Sequence, residues 1–193
     1  MDDLRERVLH GALACVGRYG MAKTTVDDVA RVSGVSRASI YRYFPGGKDE
    51  LLAATVAWEI GRFFAQLGRA VAGAPDLASL VADALTYAHR AVLAHEVLQK
   101  VLVTEPERLL PLITVESERV LRMIGGFLLP YLERERAAGR LRLGVDPAVA
   151  ADYLARMFLS YSNSPASWDL EDPAAVTDLV QTEFLGAIAP ARP

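Results

Sequence analysis

The chain has 193 residues, of which 52% are hydrophobic and 23% charged, and its formal net charge is -3. This composition is too apolar and too weakly charged for a disordered chain, and the length allows one or two small domains with their own cores. The longest stretch without a charged residue, 157–168, is 12 residues long and too short to span a bilayer. An acidic N-terminus without an apolar leader and a single cysteine favour a reducing cytoplasm.

Charge is distributed unevenly along the chain. Up to Lys48 there are eight basic residues against five acidic ones, a net charge of +3, and the remainder carries -6. A polyanion responds to a local basic surface, so the acidic total does not exclude a nucleic-acid partner. A solvated surface with chance clustering of charge explains the same numbers, so the pattern of residues must decide.

Apolar residues recur every three or four positions along almost the whole chain, and no useful segment alternates as a strand would. The sequence therefore predicts an all-α fold. The first helix has an apolar stripe from Leu4 to Tyr19 and ends at Gly20, since glycine is common just past a helix end.

Two short helices follow the first. Thr24 and Thr25 stand before Asp27 and Asp28 in a capping-box arrangement that begins the second helix, and Gly34 ends it. The third helix begins after Ser36, a good N-cap residue, runs to about Phe44, and is ended by Pro45-Gly46-Gly47.

The helices after Lys48 are longer. Proline and capping residues place them at about 48–71, 77–94, a short piece between Thr104 and Pro111, 114–138, and two last helices that begin at Asp146-Pro147 and Asp172-Pro173. The change from short to long helices, with the change in charge, predicts two domains, 1–47 and 48–193.

The segment 26–44, VDDVARVSGVSRASIYRYF, has the spacing of a helix-turn-helix. Such a unit needs a small residue where its helices cross, a residue that tolerates a left-handed turn four positions later, and an apolar anchor six beyond that. Ala30, Gly34 and Ile40 occupy these positions. Val29, Val35 and Phe44 can hold the helices together.

The third helix then presents Arg37, Ser39 and Arg42 outward, together with Tyr41 and Tyr43. Arginine can donate two hydrogen bonds to a guanine edge and serine can bond several bases, so these residues are candidates for direct readout. Hydroxyls and lysines more often contact phosphates, and we assign that role to Thr24, Thr25, Tyr43 and Lys48. A solvated helix with paired charges is the alternative interpretation.

The stretch KTTVDDVARVSGVSRASIYRYFPGGKDELL resembles the N-terminal DNA-binding domain of the tetracycline-repressor (TetR) family, from about Leu4 to Leu52. The resemblance implies a homodimer with a three-helix DNA-binding domain and a six-helix regulatory domain, which represses at an inverted-repeat DNA operator and is released by a small molecule. It implies base contacts from Arg37, Ala38, Ser39 and Arg42, and phosphate contacts from Thr24, Tyr41, Tyr43 and Lys48. With Thr25 and the cap Ser36, these form the predicted DNA-binding set. Gly46-Gly47 is one residue longer than in many members.

The sequence points to no enzyme, cofactor or metal. The three histidines and Cys15 lack metal-ligand spacing, and neither a phosphate loop nor a nucleophile motif is present. Ligand-lining candidates are the aromatic, methionine and neighbouring residues of the longer helices, each also a normal core residue: Phe63, Phe64, Leu67, Tyr87, His89, Met123, Phe127, Met157 and Tyr161. Gly125-Gly126 leaves room for a mostly apolar effector or for a closely packed helix.

The last two helices are candidates for the dimer interface. Their stripes, Tyr153, Met157, Val176, Val180, Phe184 and Ile188, can close a four-helix bundle between two copies or pack inside one copy. The favoured function is a cytoplasmic ligand-released repressor. An activator or effector-independent DNA-binding protein stays open, as does, from another class, a helical carrier or enzyme.

Overall fold

A computed structural model of the chain describes residues 3–163 and 167–189. In these ranges the regular secondary structure is helical and no strand occurs, which confirms the all-α prediction. None of the described helices is long and apolar enough to cross a membrane. The helices are α1 (Asp3–Tyr19), α2 (Val26–Ser33), α3 (Arg37–Tyr43), α4 (Gly47–Val71), α5 (Leu77–Ala94), α6 (Glu96–Thr104), α7 (Pro106–Ala137), α8 (Pro147–Asn163) and α9 (Pro173–Leu179), which continues into a π-helical turn (Val180–Phe184).

The described residues form two compact units. The first unit contains those of 1–65 and 92–116, and the second contains those of 66–91 and 117–193. The first unit therefore combines α1 to α3 with most of α4, with α6 and with the first turns of α7. This grouping differs from the sequence-based division at 47/48, which follows the change in helix length and in net charge.

The first unit has a core in which the three short helices and α4 meet. Its buried residues are Val8, Leu9, Ala12, Cys15, Val26, Val29, Val35, Ile40, Phe44, Leu51 and Trp58. Val29 and Ile40 are fully buried, and Val35 and Phe44 almost so. The predicted anchors of the helix-turn-helix are confirmed, and we call residues 3–44 the head.

A second cluster in the first unit joins α1 and α4 to α6 and α7. Val16, Met21 and Leu52 pack there with Val101 of α6 and Leu109 of α7. Burying five such side chains keeps the junction between α6 and α7 attached to the end of α1.

The helices between 95 and 137 differ from the prediction. α6 was not predicted as a helix, because its N-cap is His95, whose Nδ1 accepts a hydrogen bond from the Leu98 amide at 3.1 Å, and histidine is not a usual capping residue. α7 is one helix from Pro106, since the exposed Pro111 in its second turn only removes one backbone hydrogen bond.

The second unit contains the end of α4, most of α5, the rest of α7, α8 and α9. Its buried side chains include Leu80, Leu85, Leu132 and Leu154. The Tyr153 hydroxyl donates to the Glu183 carbonyl oxygen, which ties α8 to the π-helical turn.

Candidate nucleic-acid interface

The start of α2 is held by the predicted capping box. The Asp28 amide donates to Thr25 Oγ1 at 3.1 Å, and the Thr25 amide donates to Asp28 Oδ2 at 3.3 Å. The hydrogen bond from the Thr25 side chain, followed by that from Arg31, lowers the pKa of Asp28 below its ordinary value. The exposed Thr25 is thus fixed at the amino end of α2, where an anion is stabilised by free amides.

The turn between α2 and α3 has the conformation that its glycine predicts. Gly34 has φ +67° and its amide donates to the Ala30 carbonyl oxygen at 3.0 Å. Arg7 of α1 donates to the Ser33 carbonyl oxygen at 2.9 Å. The angle between α2 and α3 is therefore set by local backbone bonds and by α1.

α3 presents its polar residues on one outward surface. Ser36 caps the helix by accepting from the Ser39 amide at 3.2 Å, and Ile40 anchors its inner side. The outward side chains are the exposed Arg37, Ala38, Tyr41 and Arg42, with the half-buried Ser39 and Tyr43 at the edges. The structure thus brings the predicted base-contacting residues together on one short helix.

Two arginines on this surface have partners within the head. Arg37 Nε lies 2.8 Å from Asp27 Oδ1, and the side chains are 60% and 63% exposed. The Arg42 guanidinium lies 5.5 Å from the centre of the Tyr43 ring. Both groups remain open to solvent, and the pairing of Arg37 is of the exposed kind that contributes little stability.

Two residues of the predicted phosphate set serve the turn before α2. Thr24 is 1% exposed and its hydroxyl donates to the Gly20 carbonyl oxygen at 2.7 Å. The half-buried Lys48 donates from Nζ to the Ala22 carbonyl oxygen at 2.5 Å. Thr24 is thus a buried residue that stabilises this turn, and Lys48, at the start of α4, stabilises the same turn from outside.

The candidate ligand residues fall in both units. Phe63 and Phe64 lie in the first unit, with their rings 4.9 Å apart and nearly perpendicular. The others lie in the second: Leu67 is buried, Tyr87, His89, Met157 and Tyr161 are half-buried, and Met123 and Phe127 are exposed. Within that unit the Tyr87 hydroxyl donates to Gln66 Oε1 at 3.4 Å, and Tyr161 packs on Phe184.

The second unit has a surface groove between α7 and α8. It has a volume of about 590 Å³ and is lined by Glu118, Leu121, Arg122, Gly125, Gly126, Leu129, Ala148, Ala151, Asp152 and Arg156. We call it the α7–α8 groove. A Cβ atom on Gly125 or Gly126 would meet no atom within 4 Å, so these glycines face open space. None of the candidate ligand residues is among those that line the groove.

The candidate dimer residues of α8 differ in burial from those of α9 and the segment after it. Tyr153 and Met157 of α8 are half-buried. The other four, Val176, Val180, Phe184 and Ile188, are at most 5% exposed in a single copy of the chain. They form the inner side of α9 and the following turn, and they stabilise that copy.

Titratable groups elsewhere in the first unit have structural partners. His95 Nε2 lies 3.4 Å from Glu59 Oε1, and this hydrogen bond raises the pKa of His95 and lowers that of Glu59, against the effect of burial. His10 packs edge-on against Trp58. Across the ranges that the structure describes, no three histidine, cysteine or acidic side chains form a group that could hold a metal ion.

One contact of the head was missed by sequence reasoning. Glu105 accepts hydrogen bonds from the backbone amides of Met21 at 3.0 Å and Ala22 at 2.6 Å. In the sequence Glu105 stands beside Pro106 as part of a capping pattern, and no local signal indicates a partner more than 80 positions away.

The family comparison matches the head and the beginning of α4. Residues 8–55 match the family described as "Bacterial regulatory proteins, tetR family". This segment is a TetR-family domain. The match begins in α1, contains α2 and α3 with their caps, and ends in α4, so it coincides with the part of the chain whose geometry is described above.

Relatives and solved structures extend the comparison. The chain is 33% identical over 81 residues to an uncharacterized HTH-type transcriptional regulator of Mycobacterium tuberculosis, an alignment that spans 42% of each chain. A putative TetR-family transcriptional regulator from Mesorhizobium loti has the same fold, with TM-score 0.68, 15% identity and 97% of both chains covered. SmeT in complex with triclosan is 25% identical, with TM-score 0.61 over 97% of this chain and 92% of SmeT. SmeT is the repressor of a Stenotrophomonas maltophilia multidrug efflux pump.

Proposed function

We propose that this protein is a transcriptional repressor that binds duplex DNA through α3, acts as a homodimer in the cytoplasm and is released by a small molecule. The observation that carries the proposal is the outward surface of α3, where Arg37, Tyr41 and Arg42 are exposed on a helix whose caps and anchor fix its orientation. In this proposal 1–47 is the DNA-binding domain and 48–193 the ligand-binding and dimerisation domain.

The chemistry of α3 suits the major groove. Arg37 and Arg42 can each donate two hydrogen bonds to O6 and N7 of guanine, and Ser39 can bond several base edges. Tyr41, Tyr43 and Thr25 carry hydroxyls at the edges of the same surface, where they can contact phosphates. Ala38 is small enough to let the helix approach the bases closely.

A helix of seven residues reads few base pairs, so useful specificity requires two copies on an inverted repeat. Two heads facing successive major grooves would lie roughly 34 to 36 Å apart. The dimer contact assigned here is the outer side of α8 with Tyr153 and Met157. The inward residues of α9 and of the segment that follows it, Val176, Val180, Phe184 and Ile188, support that side from within the same copy.

The α7–α8 groove fits a dimer contact beside α8. Its glycine floor lets a helix approach closely, and its rim carries two acids and two arginines, Glu118, Arg122, Asp152 and Arg156. Such a balanced rim is self-complementary under a twofold axis, since each acid can meet an arginine of the other copy. Sedimentation of Met157→Glu and Gly126→Leu variants tests this assignment, because either change should weaken dimers while leaving the chain folded.

A mostly apolar effector is supported by the aromatic and methionine side chains of α4, α5, α7 and α8. SmeT, a repressor with a related fold, was solved with triclosan, a largely apolar small molecule. Tyr87, His89 and Tyr161 are the half-buried polar groups that can orient such a ligand. Triclosan is therefore a suitable first probe, with thermal unfolding and operator release as the two measurements.

The experiment that tests the proposal is selection of bound duplexes from a random pool. We expect an inverted repeat that holds two chains, and an affinity that falls steeply with salt because phosphate contacts release counterions. A pool that shows no enrichment after repeated selection would contradict the proposal.

A further inference from the structure

Glu105 connects the junction between α6 and α7 to the head. It is the residue after α6 and directly precedes Pro106, the first residue of α7. Its side chain is only 15% exposed, and its two carboxylate oxygens accept from the amides of Met21 and Ala22. Arg108 Nε lies 3.7 Å from Glu105 Oε2, so the positive charge of Arg108 partly offsets the negative charge of the carboxylate. A mostly buried carboxylate with two amide donors is a charge-assisted contact, stronger than a neutral one.

The receiving turn is built around Gly20. Gly20 has φ +86°, and a Cβ atom placed there would lie 2.1 Å from Glu105 Oε1. Only glycine allows both this backbone conformation and the close approach of the carboxylate. The turn and Glu105 are therefore complementary in shape as well as in hydrogen bonding.

The same turn sets the start of α2. The Thr24 hydroxyl and amide both donate to the Gly20 carbonyl oxygen, at 2.7 and 3.2 Å. Thr25 follows at once as the N-cap of α2, and Lys48 holds the Ala22 carbonyl oxygen. A change in the turn at residues 20–22 therefore acts on the first residues of α2, which carry Asp27, the partner of Arg37.

α6 makes a second set of contacts with α1. Lys100 donates from Nζ to the Gly17 carbonyl oxygen at 2.7 Å, and Val97 packs where a Cβ of Gly17 would lie. Val101 and Leu109 extend the contact through their apolar cluster with Val16 and Met21. The junction between α6 and α7 is thus bonded to the end of α1 on both sides of Glu105.

We propose that Glu105 is a latch through which the position of the junction between α6 and α7 controls operator binding. The latch is closed when operator is bound, and a shift of α6 or α7 that withdraws the carboxylate frees the amides of Met21 and Ala22 and loosens the start of α2. Operator must in turn stabilise the closed latch, because coupling between two equilibria is reciprocal. This inference rests on the proposed function and names the positioning residue of its regulation.

The first test compares Glu105→Gln with Glu107→Gln in the full-length protein. Gln keeps the size of the side chain but turns one acceptor into a donor that faces an amide, whereas Glu107 is an exposed acid in the first turn of α7. We expect Glu105→Gln to speed amide exchange at Met21 and Ala22 and to weaken binding to the selected operator about 10-fold, within the usual range of coupling. Glu107→Gln should change neither quantity.

The second test locks α6 to α1 with a disulfide. An ideal Cβ on Gly17 lies 4.0 Å from the Cβ of Val97, within the usual range for a disulfide. In the Gly17→Cys, Val97→Cys protein, oxidation should leave operator affinity equal to or above that of the reduced protein. In the triple variant with Glu105→Gln, oxidation should restore most of the lost affinity.

The outcomes separate the latch from the proposed function. Loss of operator binding on oxidation, or unchanged exchange and affinity in Glu105→Gln, would overturn the latch. Wild-type protein that selects no duplex would overturn the proposed function. In that event, unchanged amide exchange at Met21 and Ala22 in Glu105→Gln would still refute the contact itself.

Discussion

The ion pair between Arg37 and Asp27 allows a quantitative prediction about base readout. To donate both hydrogen bonds to guanine through Nε and one Nη, Arg37 has to leave Asp27 on α2, whose Oδ1 lies 2.8 Å from that Nε. An exposed pair of this kind contributes about 0.2 to 1 kcal/mol, so Asp27→Asn should tighten operator binding about 1.4- to 5-fold. Loss of the arginine removes a bidentate base contact of about 1 to 3 kcal/mol, so Arg37→Ala should weaken operator binding about 5- to 140-fold.

The assay is a fluorescence-anisotropy titration of the selected operator and of a random duplex of equal length. Arg90→Ala is the matched control, since Arg90 forms a similarly exposed pair with Glu171, 2.9 Å apart, in the second unit. Arg37→Ala should lose more affinity for operator than for random duplex, and Arg90→Ala should change neither. Equal losses on both duplexes for Arg37→Ala would refute base readout by Arg37.

Three further variants test the geometry of the fold and the interface. Ser36→Ala should lower the free energy of unfolding by about 1 kcal/mol, because the Ser39 amide loses its hydrogen-bond acceptor. Chemical denaturation measures this, and an unchanged free energy of unfolding would refute the role of the cap. Hydrogen bonds lower the pKa of Asp28, so its stabilising effect is complete above the ordinary aspartate pKa of about 3.9 and is lost as pH falls through the lowered value. Thermal unfolding of Asp28→Asn should therefore depend less on pH in acid than that of wild type, and parallel curves would refute this. Phe184→Glu should unfold the chain, because Phe184 is fully buried in a single copy. Met157→Glu should give folded monomers. A folded dimer of Met157→Glu would show that the dimer interface is not on the outer side of α8.

The head was predictable because its signals are local. The capping box at Thr25, the left-handed Gly34 and the buried Ile40 lie within 16 positions of one another, and each acts on the backbone next to it. Such short-range rules specify both the helices and the angle between them. The outward side of α3 follows from the burial of its inner side.

The contacts between distant segments were not predictable from such rules. α6 is capped by His95, an uncommon N-cap residue. The hydrogen bonds that Glu105 accepts from the turn after α1 depend on tertiary packing that no local pattern encodes. Periodicity likewise identified the apolar stripe that begins in α9 and contains Phe184 in the following turn. It could not tell whether a second copy or the same chain covers that stripe, and the single chain already buries it.

The central claim is sequence-specific binding of DNA by α3 in a dimer. The most direct measurement is a titration of the intact protein against the duplex that it selects and against a shuffled duplex of the same composition, with stoichiometry determined by sedimentation at two salt concentrations. We predict two chains per inverted repeat and a preference of at least about 10³-fold over the shuffled duplex at physiological salt. Equal affinity for the two duplexes, or one chain bound without preference for an inverted repeat, would contradict the account.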